Sequence, residues 1–166
     1  MRSLVSKKRR CFILKSIWDE VLEKLEVHDY MGEIARTADR VKNSGEVFTP
    51  SALVVEMLKR LPINVFAPGL RVLDPACGDG QFLVAAKWVK VLHFGMSEHD
   101  AVADIFGVDI MRDNVILCRN RLDGGTIVLG DSLRPERRLA GQSDAEHSLM
   151  QELFSERDQQ ISVWNS

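Results

Sequence analysis

The stretch from Arg71 to Phe82 constrains the fold of this chain most, because it joins a short apolar strand, a glycine-rich turn and the start of a helix. Gly78 and Gly80 allow the backbone to turn sharply and to come close to a ligand. The helix that follows would present free N–H groups and the positive end of its dipole to that ligand. Asp74, at the carboxyl end of the strand, is predicted to reach the same crevice, since open α/β sheets bind ligands at that edge. A lone Gly-x-Gly turn is weak evidence of a binding site, so the prediction depends on the residues around it.

The remaining elements alternate in the way that an α/β domain requires. Apolar runs predict strands at residues 71–74, 105–110 and 126–129, and helical periodicity predicts helices over 81–92 and 111–122 between them. This alternation is typical of a parallel sheet flanked by helices. We therefore predict an α/β fold with a Rossmann-like sheet of three to four mainly parallel strands.

An acidic residue lies at or just after the carboxyl end of each predicted strand. Asp109 ends the second strand, and Asp131 with Ser132 follows the third, so that these aspartates and Asp74 should surround one crevice. A carboxylate at the end of the second strand is suited to hold a ribose, because its two oxygens can accept both ribose hydroxyls. Two alternatives stay open at this point. Asp109 could cap the helix over 111–122, and Gly-Asp-Ser at 130–132 could be a simple turn.

A second motif, Gly-Glu-Val-Phe-Thr-Pro, occupies residues 45–50. Thr49 is predicted to cap the next helix, and Pro50 suits its first turn. The helix ends before Pro62. Its predicted apolar face comprises Leu53, Val54, Met57, Leu58 and Leu61.

Phe-Thr-Pro at 48–50, followed by Asp-Pro-Ala-Cys-Gly-Asp-Gly-Gln-Phe-Leu at 74–83, resembles two cofactor motifs of the S-adenosylmethionine-dependent amino-group DNA methyltransferases. These enzymes modify adenine N6 or cytosine N4, and the resemblance implies DNA methylation of the restriction-modification kind. The loop is not the Gly-x-Gly-x-x-Gly dinucleotide motif, because Asp74 precedes the glycines and Leu83 stands where a third glycine is expected. The likeness covers roughly residues 45–133 and implies a Rossmann-like methyltransferase core.

The resemblance also implies the roles of the site residues. The Phe-Thr-Pro segment would line the methionine end, the loop would wrap the methionine and sulfonium, and Asp74 would favour the cofactor's ammonium group. Asp109 would hold the ribose, and Asp131 would accept a hydrogen bond from the adenine amino group. The implied cofactor-binding residues are Phe48, Thr49, Pro50, Asp74, Ala76, Cys77, Gly78, Gly80, Phe82, Asp109, Ile110, Met111, Asp131 and Ser132.

One motif of the resembling family is missing from these 166 residues. The family uses an (Asn/Asp/Ser)-Pro-Pro-aromatic turn to hold the target amine and to stack on the flipped base. No Pro-Pro pair occurs here, and Asn165, the weak catalytic candidate, is followed only by Ser166. The sequence therefore predicts the cofactor-binding half of a methyltransferase, with two readings open: a DNA adenine methyltransferase domain that needs a second chain, or a catalytically inactive, cofactor-binding regulatory or structural subunit. A third class, the nucleotide-binding oxidoreductase, is disfavoured by the glycine spacing.

The flanking segments divide the chain into three parts: residues 1–44, 45–133 and 134–166. The first is predicted to be helical, with amphipathic helices over 12–25 and 29–43, after a basic start that is either a solvated terminus or a phosphate-contacting arm. The last is a predicted helical tail, with a capping box at Ser143–Glu146 and a short fourth strand at 161–164. A small parallel sheet leaves an exposed edge, so we expect a homo-oligomer or a second subunit that completes the fold.

Composition narrows the class further. The net charge of −2 argues against a strong overall nucleic-acid footprint, although local contact with DNA stays open. The three cysteines are widely spaced, which fits a reducing cytoplasm and predicts no metal site. No apolar run is long enough for a membrane span, and the basic start lacks the features of a signal peptide.

Overall fold

The computed structural model describes residues 15–27 and 49–161, with side chains described up to residue 155. Three strands form one parallel sheet in the order β1-β2-β3: β1 is Val72–Asp74, β2 is Ile105–Asp109 and β3 is Thr126–Leu129. The described helices are α1 (Ile17–Val27), α2 (Ser51–Leu58), α3 (Gln81–Phe94), α4 (Glu98–Ala103), α5 (Arg112–Leu122) and α6 (Asp144–Ile161), with a 3₁₀ helix at Ile63–Phe66. The α/β class and the parallel sheet are confirmed.

Helices cover both faces of the sheet. On one face α1, α2, α3 and α5 share a core with Ile105, Ile127 and Leu129 from the strands. On the other face α6 packs on Val108 and Val128. Because both faces are covered, the strands are apolar along most of their length, as parallel strands usually are.

Helix α3 is the centre of the larger core. Nearly all of its residues from Gln81 to Lys90 are buried, and α1 packs along it. Val21 and Leu25 of α1 are fully buried, and the Lys24 ammonium lies 4.4 Å from the centre of the Trp88 ring. The N-terminal helix therefore packs on the core, which fixes one wall of the domain.

Two helices begin at a serine whose hydroxyl accepts a backbone hydrogen bond. The Ser97 hydroxyl accepts from the Asp100 backbone N–H at the start of α4. At the start of α6, the Ser143 hydroxyl accepts from the Glu146 N–H at 3.2 Å, and the Ser143 N–H donates to the Glu146 carboxylate at 3.0 Å. This reciprocal pair is the predicted capping box.

Helix α2 corrects two predictions. Its N-cap is Pro50, without a side-chain cap, so the prediction that Thr49 caps this helix is wrong. Its buried residues are Val54, Val55 and Leu58, whereas three residues placed on the predicted inner face are about half exposed: Leu53, Met57 and Leu61. The helix is apolar almost all round, so periodicity alone could not choose the face that packs.

The C-terminal prediction is wrong at its first residue, because Ile161 is the last residue of α6 rather than the start of a fourth strand. The described residues thus contain three strands. Several predicted features lie outside the described residues: the basic start, the second N-terminal helix, Phe48, the remainder of the fourth strand and Asn165.

Candidate functional site

The turn between β1 and α3 is a tight loop that rests on neighbouring elements. Gly78 and Gly80 have φ of 54° and 90°, a left-handed conformation that residues with a side chain rarely adopt. A Cβ at Gly80 would also lie 2.6 Å from the Cys118 sulfur, so the loop sits directly on α5. The Cys77 N–H donates to the Val108 carbonyl of β2 at 2.9 Å. Position 80 therefore requires glycine for two reasons: the backbone is left-handed there, and Cys118 leaves no space for a Cβ.

Asp109, at the end of β2, connects the loop to the start of α5. Its Oδ2 accepts from the Gly78 N–H at 2.9 Å, and its Oδ1 accepts from the Met111 N–H at 2.8 Å and from Asn114 Nδ2 at 3.2 Å. A carboxylate has about four acceptor positions. Among the described residues three positions are filled in this way, so Asp109 has room for about one more donor, fewer than the two ribose hydroxyls that the prediction assigns to it. Asp109 also binds the Met111 N–H beside the start of α5, but the N-cap of this helix is Met111 and has no side-chain cap, so Asp109 is not the helix cap of the alternative prediction.

Asp131 and Ser132 lie after β3, beside the glycine loop. The Ser132 hydroxyl donates to the Pro75 carbonyl at 2.6 Å, which ties the two loops together. Asp131 Oδ1 accepts from the Leu133 N–H at 3.2 Å, so the turn that stayed open as an alternative does form. Asp131 Oδ2 lies 3.4 Å from Arg134 Nε and 3.5 Å from Arg137 Nη1. Both arginines are more than half exposed, and a ligand would have to compete with them for this carboxylate.

A cavity of about 430 Å³ opens at the carboxyl ends of the strands. It brings together five of the predicted site residues with three others, and its lining consists of Pro75, Ala76, Asp109, Ile110, Gly130, Asp131, Ser132 and Leu133. Asp109 and Asp131 are only 8% and 6% exposed. Their nearly buried carboxylates face a space flanked by the apolar side chains of Ile110 and Leu133.

A second cavity of about 390 Å³ meets the first at Pro75 and Ala76, which line both. It contains the predicted residues Asp74 and Phe82 and is otherwise apolar. Its remaining lining residues are Leu58, Leu61, Phe66, Val72, Leu73, Leu83 and Ala86. The contribution of α2 and the 3₁₀ helix was not predicted, because nothing in the sequence pattern directs Leu61 or Phe66 toward the loop.

Two ionisable groups at this edge of the sheet, Asp74 and Cys77, have a raised pKa. Burial raises the pKa of Asp74, and the nearby Asp109 carboxylate raises it further, while a hydrogen bond from the Ala76 N–H opposes both. The hydrogen bond with Cys118 raises the pKa of Cys77, and burial and the two aspartates add to this rise. Cys77 is therefore a thiol at neutral pH, and it is unsuited to act as a nucleophile.

The other predicted site residues are placed as follows. Cys77, Gly78 and Gly80 form the turn beneath the cavities and do not line them. Met111 is the N-cap of α5 and contacts the site through its N–H. Thr49 and Pro50 precede α2 and line neither cavity, while Phe48 and Asn165 lie outside the described residues.

Sequence reasoning missed the polar residues of α5 that hold the loop. Arg121 Nη1 donates to Asp79 Oδ2 at 2.7 Å, and Asn114 binds Asp109. The available signal was their spacing, because Asn114 and Arg121 flank Val115 and Cys118, two buried apolar residues of this helix.

No helix within the described residues is long and apolar enough to cross a membrane. In the same part of the chain, no group of three or more His, Cys, Asp or Glu side chains is placed to hold a metal ion.

Comparison with known proteins gives one family. A family model described as N-6 DNA Methylase matches residues 28–123, which is more than half of the 166-residue chain. The matched segment contains the Phe-Thr-Pro motif, the glycine loop, Asp109 and all of α5. No solved structure matches the chain.

Proposed function

This chain belongs to the N-6 DNA methylase family, and from that premise we propose that it binds S-adenosylmethionine at the carboxyl edge of its sheet. The bound cofactor would be held for methyl transfer to an amino group in DNA, with adenine N6 as the target. The observation that carries the proposal is the cavity of about 430 Å³ in which Asp109 and Asp131 meet beside the glycine loop.

The residues around this cavity fit the cofactor chemically. The cavity volume lies within the range of about 300 to 1,000 Å³ that is typical of small-molecule sites. S-adenosylmethionine supplies an electrophilic methyl group on a sulfonium, and it carries an ammonium group as well. Asp74, Asp109 and Asp131 give this edge of the sheet the negative potential that attracts such a cation.

The residues of this chain would orient the bound cofactor and would not take part in the reaction themselves. Asp109 has about one free acceptor position for a ribose hydroxyl, since three of about four positions are filled within the protein. Ile110 and Leu133 provide apolar surface for the adenine, and the Asp131 carboxylate lies at the same cavity. A bound ammonium group would stabilise the charged form of Asp74, and so would oppose the rise in its pKa.

We assign the target-binding turn to another polypeptide segment. The 166 residues contain no Pro-Pro pair, and the described sheet has β1 at its edge, where a further strand could pair. A second subunit that adds a strand and the missing turn would complete the enzyme. The absence of the turn from this sequence equally favours the second candidate, a cofactor-binding subunit with no transfer activity of its own.

Calorimetric titration of the 166-residue chain with S-adenosylmethionine tests the binding. We expect micromolar affinity, and we expect Asp109→Asn to weaken it about tenfold, or about 1.4 kcal/mol. The control is Asp144→Asn, since that carboxylate is 90% exposed and lies at the start of α6. No heat and no thermal stabilisation with the unmodified chain would contradict the proposal.

Transfer of a radiolabelled methyl group to DNA separates the two candidates. We expect no labelled DNA from this chain alone. Labelling after a partner subunit is added would support the two-chain enzyme, and labelling by the chain alone would overturn our assignment of the turn to another segment.

A further inference from the structure

The glycine loop is held by a buried ion pair between Asp79 and Arg121, which the sequence analysis did not predict. Arg121 Nη1 donates to Asp79 Oδ2 at 2.7 Å and to the Asp79 carbonyl at 3.3 Å. The two side chains are 2% and 10% exposed. Asp79 stands between Gly78 and Gly80, the two left-handed residues of the loop. The ion pair therefore binds the loop at Asp79, the residue between the two glycines that have a left-handed backbone.

Arg121 belongs to a row of contacts along one face of α5. Asn114 Nδ2 donates to Asp109, which binds the Gly78 N–H, and the Cys118 sulfur lies against Gly80. The positions 114, 118 and 121 are four and three residues apart, and such residues share a helix face. This face acts as a template against which the loop is set.

The physical case for positioning rests on the flexibility of the loop. Glycine has the largest choice of backbone conformations, so two glycines around one residue give the loop alternatives to the conformation it adopts. A buried ion pair seldom adds much net stability, because desolvation of the charges offsets their attraction. What such a pair can supply is a fixed geometry, and fixed geometry lowers the entropy lost when a ligand binds.

We infer that Arg121 is a positioning residue for the cofactor loop, and that it acts through Asp79 to keep residues 78–80 in the binding conformation. The inference rests on the proposed function and deepens it. Arg121 does not line either cavity, so its effect on the cofactor is indirect.

Amide hydrogen exchange of the cofactor-free chain tests the geometry by itself. We expect exchange across residues 76–82 to be at least about tenfold faster in Arg121→Lys, because the lysine side chain is shorter and its ammonium falls short of the position of Arg121 Nη1, while amides of β3 keep their rates. Asp79→Asn keeps the shape of the side chain, and it should have the same local effect. Unchanged loop exchange in both variants would overturn the inference.

Affinity for S-adenosylmethionine tests the consequence. We expect Arg121→Lys and Asp79→Asn each to weaken binding about tenfold, and the double variant Asp79→Asn/Arg121→Gln, which restores a neutral hydrogen bond, to recover most of that loss. The matched control is Lys90→Met, which removes a buried ion pair far from the loop: it should lower the melting temperature yet change the affinity less than about twofold.

The outcomes separate the two hypotheses. Equal loss of affinity in Lys90→Met would reduce Arg121 to a structural role and overturn the inference. No binding by the unmodified chain would overturn the proposed function, while the exchange experiment would still decide whether Arg121 holds the loop. If Arg121→Lys does not fold, Asp79→Asn alone decides both measurements.

Discussion

Two buried ion pairs lie in different regions of this molecule, and they are completed to different degrees. Lys90 Nζ donates to the Ala67 carbonyl at 3.2 Å, the Leu70 carbonyl at 2.8 Å and the Asp104 carboxylate at 3.0 Å. All three ammonium hydrogens are used. In Arg121, by contrast, only Nη1 has partners, and within the described residues the buried Nε and Nη2 reach no acceptor.

The difference follows the two ends of the sheet. Asp104 directly precedes β2, so the Lys90 group fastens the amino end, and its full set of hydrogen bonds is what a purely structural site requires. Arg121 and Asp79 lie with the glycine loop at the carboxyl end. Proteins tolerate unsatisfied buried groups mainly where function demands an arrangement that stability alone would not select. The amino end thus has the complete hydrogen bonding of a structural site, whereas the carboxyl end keeps unsatisfied buried groups beside the proposed cofactor site.

Lys90→Met should have the largest effect on stability. It leaves the Asp104 carboxylate and two carbonyls without their common donor, and breaking a buried pair in this way costs about 3 to 5 kcal/mol. Urea unfolding at neutral pH measures the loss, with Lys59→Met as the control on an exposed pair with Glu56. A smaller loss of stability than in the Arg121→Lys variant would contradict the proposed difference between the two ends of the sheet.

Glu146, at the start of α6, is a carboxylate with several hydrogen-bond donors, and it should make stability depend on pH. Burial opposes its ionisation, but hydrogen bonds from Arg112 and Ser143 prevail and lower its pKa from 4.5 to about 2. Since the folded-state pKa is the lower one, the stabilisation is present above pH 4.5 and is lost as the pH falls toward 2. The loss is at most about 3 kcal/mol.

Acid unfolding followed by circular dichroism measures this limb. Glu146→Gln should flatten the decline between pH 4.5 and 2, whereas Glu152→Gln, an exposed acid on the same helix, should leave the curve unchanged. A curve with Glu146→Gln that matches the unmodified chain would contradict the account.

Gly80→Ala tests whether the glycine loop can accept a side chain at this position. The φ of 90° and the 2.6 Å approach to the Cys118 sulfur together should cost about 2 kcal/mol. The control is Gly95→Ala, where φ is 68° but an added Cβ would have no non-neighbouring atom of the described residues within 4 Å, so only the backbone cost of about 1 kcal/mol is expected. Thermal unfolding measures the stability of both variants. Equal losses of stability would show that the Cys118 side chain can move away from an added Cβ at little cost.

Asp74→Asn should have the smallest effect, and it should have the opposite sign. Burial raises the pKa of Asp74, so its contribution to stability is full below the ordinary value of 3.8 and declines as the pH rises through the folded-state pKa. At pH 7 the amide should therefore stabilise the cofactor-free chain by up to about 1 kcal/mol. The gain should disappear near pH 3, and the same variant should bind S-adenosylmethionine more weakly. Stabilisation that persists at low pH would point to packing rather than charge.

Much of the fold could be predicted because its signals are local. The strand at 126–129 is found as predicted, and the helices that begin at Gln81 and near Arg112 have their predicted periodicity. The capping box at Ser143 needs only residues three apart, so the pattern was sufficient. The buried face of α2 was predicted wrongly because six of its eight residues are apolar, and then only packing selects the face that is buried.

The candidate site was predicted in its members more than in its bonds. Asp109 and Asp131 were expected at one crevice, and both line the same cavity. What the pattern could not provide was how their oxygens are used: three donors already bind Asp109, and two arginines approach Asp131. These partners lie in other elements or on turns whose geometry is set by packing.

The order of strands and helices along the chain, the glycine loop and the family could all be inferred from the sequence, because each depends on residues that are neighbours in the chain. The pairing of charges depends on how the chain packs. Asp79 and Arg121 are 42 positions apart, and Lys90 is 20 positions from the Leu70 carbonyl that it binds. Such contacts exist only when the helices have packed on the sheet, since burial both brings the groups together and makes an unpaired charge costly.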